Sequence, residues 1–154
     1  MIVKTKNEQE TTKLGYVLGS LMKNNTAVYL YGEMASGKTQ LSRGIADYFN
    51  MLNDFSSPTY TIINEYKNNG DVLYHMDAYR LESIEELEYV GFFDIYKENK
   101  IIIEWPEVIE DILEKTGVEI KIKIDEDDFN SREIEINAYE DSKEIVRKLE
   151  DIYE

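Results

Sequence analysis

Apolar positions along the chain switch repeatedly between a period near two and a period near three and a half, which predicts alternating strands and helices. Residues 2–6 read as a short strand. Asn7, followed three positions later by Glu10, has the spacing of a capping box, and Leu14, Val17, Leu18 and Leu21 mark the buried face of a helix reaching about residue 23. A strand over 26–31 precedes a helix from Lys38 to Tyr48 or Phe49. Residues 61–66 and 72–78 are rich in β-branched and aromatic side chains and flank the turn-forming stretch 67–71, so they are predicted to be antiparallel neighbours. Ser83 and Glu86 repeat the capping spacing ahead of a helix ending near Gly91. Ile101, Ile102 and Ile103 make an unbroken apolar strand that closes on Glu104 and is stopped by Trp105 and Pro106. A short helix over 108–113 follows, broken by Gly117.

Val118, Ile120, Ile122 and Ile124 then alternate with Glu119, Lys121 and Lys123, and Ile134 and Ile136 repeat the pattern over 132–138. The acidic stretch 125–131 between them predicts a hairpin with one wet face. Residues 141–153 are predicted to form an amphipathic helix with Ile145, Leu149 and Ile152 as packing positions. No repeat, low-complexity tract or linker interrupts this order, so residues 1–154 are expected to form one layered α/β domain.

Between the second strand and its helix stands Gly32-Glu33-Met34-Ala35-Ser36-Gly37-Lys38-Thr39, the pattern G-x-x-x-x-G-K-[ST]. Its glycines let the backbone curl so that N–H groups converge on a polyphosphate, and the helix N-terminus adds partial positive charge. Lys38 is placed to reach the β and γ phosphates, and the Thr39 hydroxyl to ligate Mg²⁺. Strand, loop and helix together predict the P-loop NTPase fold: three α/β/α layers, a mixed and mainly parallel central sheet, and a C-terminal antiparallel hairpin.

The remaining chemistry calls for acids at strand ends, where α/β sheets hold ligands beyond their carboxyl edge. Glu104 closes the most apolar strand and suits an acid that holds Mg²⁺ or polarises water; Asp77 ends the strand containing His75. The alternative for either is a solvated turn carboxylate or a helix cap. Thr59, after Pro58, is a hydroxyl able to sense the metal or the γ phosphate, or else part of a turn. Arg80 could serve phosphates or pair with a carboxylate such as Glu82. His75 suits a packing or hydrogen-bonding role, and Trp105 either a wall of the site or the core.

Composition narrows the function further. Thirty-two acidic against 17 basic residues leave a net charge of −15, which opposes long-range attraction to nucleic acid and favours a positively charged protein partner. Cysteine is absent, removing disulfides and thiolate chemistry. No apolar run approaches eighteen residues, so a soluble, cytoplasmic protein that does not engage membranes is expected.

The motifs Gly32-x-x-x-x-Gly37-Lys38-Thr39, Ser57-Pro58-Thr59-Tyr60, His75-x-Asp77-x-Tyr79-Arg80-Leu81, Glu85-Glu86-Leu87-Glu88 and Glu104-Trp105-Pro106-Glu107 resemble, in order and spacing, those of the TsaE (YjeE-type) ATPases. The resemblance runs from the entry Glu8-Gln9-x-Thr11-x-x-Leu14-Gly15 to the C-terminal hairpin. It implies an Mg²⁺-dependent ATPase acting with TsaB and TsaD in threonylcarbamoyladenosine modification of tRNA. By motif, Glu33, Met34, Ala35, Ser36, Gly37, Lys38, Thr39 and Gln40 bind ATP or ADP together with Gly32. Thr39 and Glu104 serve the metal, Asp77 and Thr59 act near the γ phosphate, and Thr11 lies near the nucleoside. The family usually carries Gly-Ala where this chain has Ala35-Ser36; a positive φ at residue 35 would carry a steric cost. The subunit is not expected to hold tRNA by itself. A GTPase is disfavoured because Asn99-Lys100 is followed by Ile101-Ile102 rather than x-Asp. A small-molecule kinase, and an interaction module with little turnover, remain as alternatives.

Overall fold

The computed structural model describes residues 1–55 and 61–154. Among the described residues, seven strands, β1 (Ile2–Thr5), β2 (Ala27–Tyr31), β3 (Ile63–Asn68), β4 (Asp71–Asp77), β5 (Lys100–Glu104), β6 (Val118–Ile124) and β7 (Arg132–Ala138), form one sheet. Its spatial order is β1-β7-β6-β2-β5-β4-β3. The central four strands, β6, β2, β5 and β4, run parallel, whereas the β3–β4, β6–β7 and β7–β1 pairings are antiparallel. The mixed sheet with helices on both faces is the expected α/β architecture. Its parallel part is confined to the centre, where β2 and β5 are buried almost throughout.

Strand parity divides the core in two. Val28, Leu30, Ile102 and Leu73 face helices α1 (Glu8–Leu21), α2 (Lys38–Tyr48) and α5 (Lys143–Tyr153). Ala27, Tyr29, Met76, Ile101 and Ile103 face the shorter helices α3 (Glu86–Tyr89) and α4 (Phe92–Ile95). The α1–α2 crossing has almost no space between backbones: a Cβ added at Gly15 would lie 2.1 Å from the Leu41 carbonyl oxygen, and one at Gly44 2.0 Å from that of Thr12.

Local signals set several boundaries. The Asn7 side chain accepts from the Glu10 amide at 2.9 Å, while the Glu10 carboxylate accepts from Lys6 N–H at 2.6 Å, one residue earlier than a capping box requires. Asn69 and Gly70, with φ 49° and 86°, make the tight turn of the β3–β4 hairpin.

Three helical expectations need correction. The helix predicted up to Gly91 is only α3. The glutamate half of its expected capping box forms, the Glu86 carboxylate accepting from the Ser83 amide at 3.0 Å and from that of Glu82 at 2.6 Å, and the helix stops before Gly91, at φ 76°, as expected, but regular helix starts only at Glu86. The helix predicted over 108–113 is a 3₁₀ segment, Pro106–Ile112, distorted at Ile109 as that side chain enters the second core. Ile152, predicted to pack, is 55% exposed, because Tyr153 takes the packing position of the last turn. Among the described residues no helix is long and apolar enough to cross a membrane.

Candidate functional site

The end of β2 delivers the chain into the loop 32–37 and then into α2, and parallel pairing aligns the acids beside it. Glu104 is in register with Leu30 of β2 on one side and with Asp77 of β4 on the other. Both acids therefore lie at the carboxyl edge of the sheet, next to the phosphate loop. Met34, Ala35, Ser36, Gly37, Lys38, Thr39 and Gln40 line a cavity of about 640 Å³ together with Asp77 and Glu104. Gly32 and Glu33 instead line a second cavity behind the loop. Thr59 lies outside the described residues. Thr11 reaches the main cavity, but it is buried and its hydroxyl pairs with that of Thr5 at 2.7 Å.

Lys38 is the positive centre. Its ammonium donates to the Gly32 carbonyl at 2.5 Å and sits 3.6 Å from the centre of the Trp105 ring. Burial lowers its pKa below the usual lysine value, opposed by the fields of Glu104, Glu107 and Asp77. Trp105 holds a left-handed backbone, φ 57° and ψ 47°, as the chain leaves β5. That conformation is costly for a bulky residue and here accompanies a ring placed against the Lys38 ammonium. Trp105 both lines the cavity and packs against the second core, so the two roles expected of it are combined.

The acids are held differently. Glu104 is 7% exposed, and one of its oxygens lies 2.5 Å from His75 Nε2. His75 is buried and stacks on Phe55 at 4.9 Å. It fills the hydrogen-bonding role expected of it, and with Nε2 protonated it orients the carboxylate. Asp77 accepts from the Tyr79 amide at 3.1 Å and lies 3.5 Å from Arg80 Nε.

The Asp77 carboxyl is pushed above its ordinary value, chiefly by burial and also by Glu104, against the opposing effects of Tyr79 N–H, Arg80 and His75. A carboxyl with a raised pKa in the folded chain contributes stability that is full below the unfolded-state pKa and is lost as pH rises through the folded-state value. Asp77→Asn keeps the Tyr79 bond and removes that loss. Its melting temperature is expected to exceed wild type by a margin that grows from about pH 4 to pH 7, because unfolded Asp titrates near 3.9. A thermal melt showing no pH-dependent gain would contradict this.

Ala35 adopts φ 63°, the conformation in which alanine departs unfavourably from a glycine. The strain is about 1 kcal/mol, partly cancelled in any glycine variant by greater freedom in the unfolded state. Ala35→Gly is therefore expected to leave stability unchanged or raise it by up to about 1 kcal/mol. Chemical denaturation checks this, and a loss of stability would contradict it.

Asn130 and Arg132 also line the cavity, as do Asn7, Glu8 and Gln9 from the start of α1. Sequence reasoning named none of these as site residues: Asn7 reads only as a helix cap and Glu8-Gln9 only as part of the family-like entry stretch, and no local pattern marks Asn130 or Arg132, which the β6–β7 hairpin brings near the loop. The oxygen donors Thr39, Asp77 and Glu104 have the hard character that Mg²⁺ prefers. Among the described residues no group of three or more acids or histidines forms a protein-only metal cage. A short donor set suits Mg²⁺, which commonly keeps waters and takes other oxygens from phosphates.

Comparison with known proteins agrees in family and fold. Residues 5–134 match the family model described as "Threonylcarbamoyl adenosine biosynthesis protein TsaE". The chain is 35% identical over 137 residues to the tRNA threonylcarbamoyladenosine biosynthesis protein TsaE of Rickettsia felis, spanning 88% of this chain and 80% of the relative. The protein of the same description from Bacillus subtilis is 32% identical over 144 residues, 93% of this chain and 89% of the relative. The solved structure described as "Crystal structure of Bacillus subtilus YdiB" superposes with a TM-score of 0.77 at 26% identity, covering 97% of this chain and 93% of the other.

Proposed function

Because this chain belongs to the TsaE family, which takes part in tRNA threonylcarbamoyladenosine biosynthesis, we propose that it binds and hydrolyses ATP with Mg²⁺ as a subunit acting beside TsaB and TsaD. The observation that carries this reading is the convergence of Lys38, Thr39, Asp77 and Glu104 on one cavity at the carboxyl edge of the parallel strands. Backbone N–H groups of the loop and the start of α2 receive the phosphates. Lys38 neutralises charge on the β and γ phosphates, and its partial desolvation strengthens that attraction. Thr39 and Glu104, with Asp77, would hold Mg²⁺, which supplies charge neutralisation on the transferring phosphoryl group. Glu104, oriented by His75, is placed to align or polarise the attacking water, and Asp77 to act beside the γ phosphate.

The acidic surface favours TsaB and TsaD over tRNA as the direct contact, with ATP and ADP setting affinity for those partners. The test is phosphate release from ATP by the chain alone and with TsaB and TsaD, in Mg²⁺ and in chelator, alongside tRNA binding at physiological salt. Mg²⁺-dependent release stimulated by the partners, without tight tRNA binding by the chain alone, is expected. Failure to bind ATP would overturn the assignment, and phosphate transfer to a small acceptor would point to a kinase.

A further inference from the structure

Arg132 lies at the start of β7, 96 residues beyond the phosphate loop, yet its guanidinium bonds directly to that loop. Nε donates to the Ser36 carbonyl at 2.6 Å and Nη2 to the Ala35 carbonyl at 3.4 Å. Nη1 donates to the carbonyls of Phe129 at 2.5 Å and Ser131 at 2.9 Å. Among the described residues its hydrogen bonds go only to backbone carbonyls, so its charge is not neutralised by a carboxylate. Arg132 also lines the cavity that holds Lys38 and Glu104.

The consequence follows from peptide geometry. In a trans peptide unit the carbonyl and the next N–H point in opposite directions, so fixing the Ser36 carbonyl fixes the direction of the Gly37 N–H. Gly37, at φ 116° and ψ 10°, has no side chain to resist rotation of that unit. Ala35 sits strained at φ 63° on the other side. A flip between Ser36 and Gly37 would turn a carbonyl dipole where an amide must meet a phosphate oxygen. The two bonds from Arg132 oppose that flip. The flat guanidinium suits the task because it donates to loop and hairpin carbonyls at once, which an ammonium group cannot do in one plane.

We propose that Arg132 is a positioning residue for phosphate binding: it grips the Ala35 and Ser36 carbonyls and so keeps the Gly37 amide directed for a phosphate oxygen. The proposal rests on the nucleotide reading of this site and adds that the loop is held from the C-terminal hairpin.

The experiment compares wild type with Arg132→Lys, Arg132→Ala and Lys123→Ala. The last removes one positive charge from an exposed position of the same hairpin that makes no hydrogen bond to the loop among the described residues. Calorimetric titration with ADP at fixed salt should show both Arg132 variants weakened by about tenfold or more, as expected for loss of charge-assisted hydrogen bonds. Lys123→Ala should change affinity by less than about twofold, as a solvent-screened charge. In the nucleotide-free proteins, ¹⁵N relaxation dispersion should reveal exchange at the Ser36 and Gly37 amides of both Arg132 variants and none in wild type. Arg132→Lys carries the test if Arg132→Ala does not fold. Wild-type ADP affinity in Arg132→Lys, or loop amides as quiet as wild type in both variants, overturns the proposal. Absence of ADP binding by wild type defeats the nucleotide reading instead, and the dispersion measurement, which needs no ligand, still decides whether Arg132 fixes the loop.

Discussion

Lys38→Ala is expected to weaken ATP binding by roughly a hundredfold or more while leaving the melting temperature at or above that of wild type. Two charge-assisted contacts to phosphate at about 1.5–3 kcal/mol each account for a change of that size. The fold does not depend on the same charge. Lys38 is buried, its ammonium donates to the Gly32 carbonyl and lies over the Trp105 ring, and burial disfavours its charged form. The sign follows: a lysine whose folded pKa lies below its unfolded value opposes folding at neutral pH, so its removal does not cost stability through linkage. Calorimetric titration beside a thermal melt checks both halves. Unchanged ATP affinity would remove Lys38 from the site, and equal losses of affinity and stability would make it a structural residue.

The second large effect concerns Glu104. Glu104→Gln and Glu104→Ala are both expected to lower single-turnover hydrolysis by about a hundredfold to a thousandfold, the range seen when a charge-stabilising or proton-handling group is removed. They should differ in stability. Glu104→Ala leaves His75 Nε2 without an acceptor in a ring only 1% exposed, whose Nδ1 already has no partner among the described residues. Stranding a buried donor costs about 1–3 kcal/mol. Glutamine retains an acceptor oxygen, so Glu104→Gln should melt close to wild type. Hydrolysis at the wild-type rate by Glu104→Gln would exclude Glu104 from catalysis. Identical melting of the two variants would show that the His75 contact contributes little.

What the sequence made legible was mainly what neighbours in the chain decide. Asn7 caps α1 because its side chain meets an amide three residues away, and the phosphate loop could be read because its glycines, lysine and threonine are contiguous. The strand-end acids were legible for a related reason: unbroken apolar runs announce buried parallel strands, and their carboxyl ends mark the edge where Asp77 and Glu104 meet in register. The antiparallel character of the C-terminal hairpin was equally visible in its alternation. That this hairpin places β7 next to β1 was not, since pairing across a sheet leaves no local period. Arg132 and Asn130 were hidden for that reason. The 3₁₀ character of Pro106–Ile112 was hidden for another: the buried Ile109 overrides helical spacing with contacts that propensity does not contain.

The near-contact of α1 and α2 at Gly15 and Gly44 has a mechanical consequence. With carbonyl oxygens where side chains would otherwise stand, the two helices have little room to slide or roll against each other. Asn7, Gln9 and Thr11, which line the cavity from the start of α1, are thereby yoked to Lys38 and Thr39, which line it from the start of α2. That wall behaves as a fixed jaw, of a length set by the crossing. Adjustment of the cavity's shape then falls to lining residues outside the two helices, such as Trp105 and Arg80. A methyl group at position 15 or 44 would force the two helices apart and so shift the cavity wall without altering any residue that lines it.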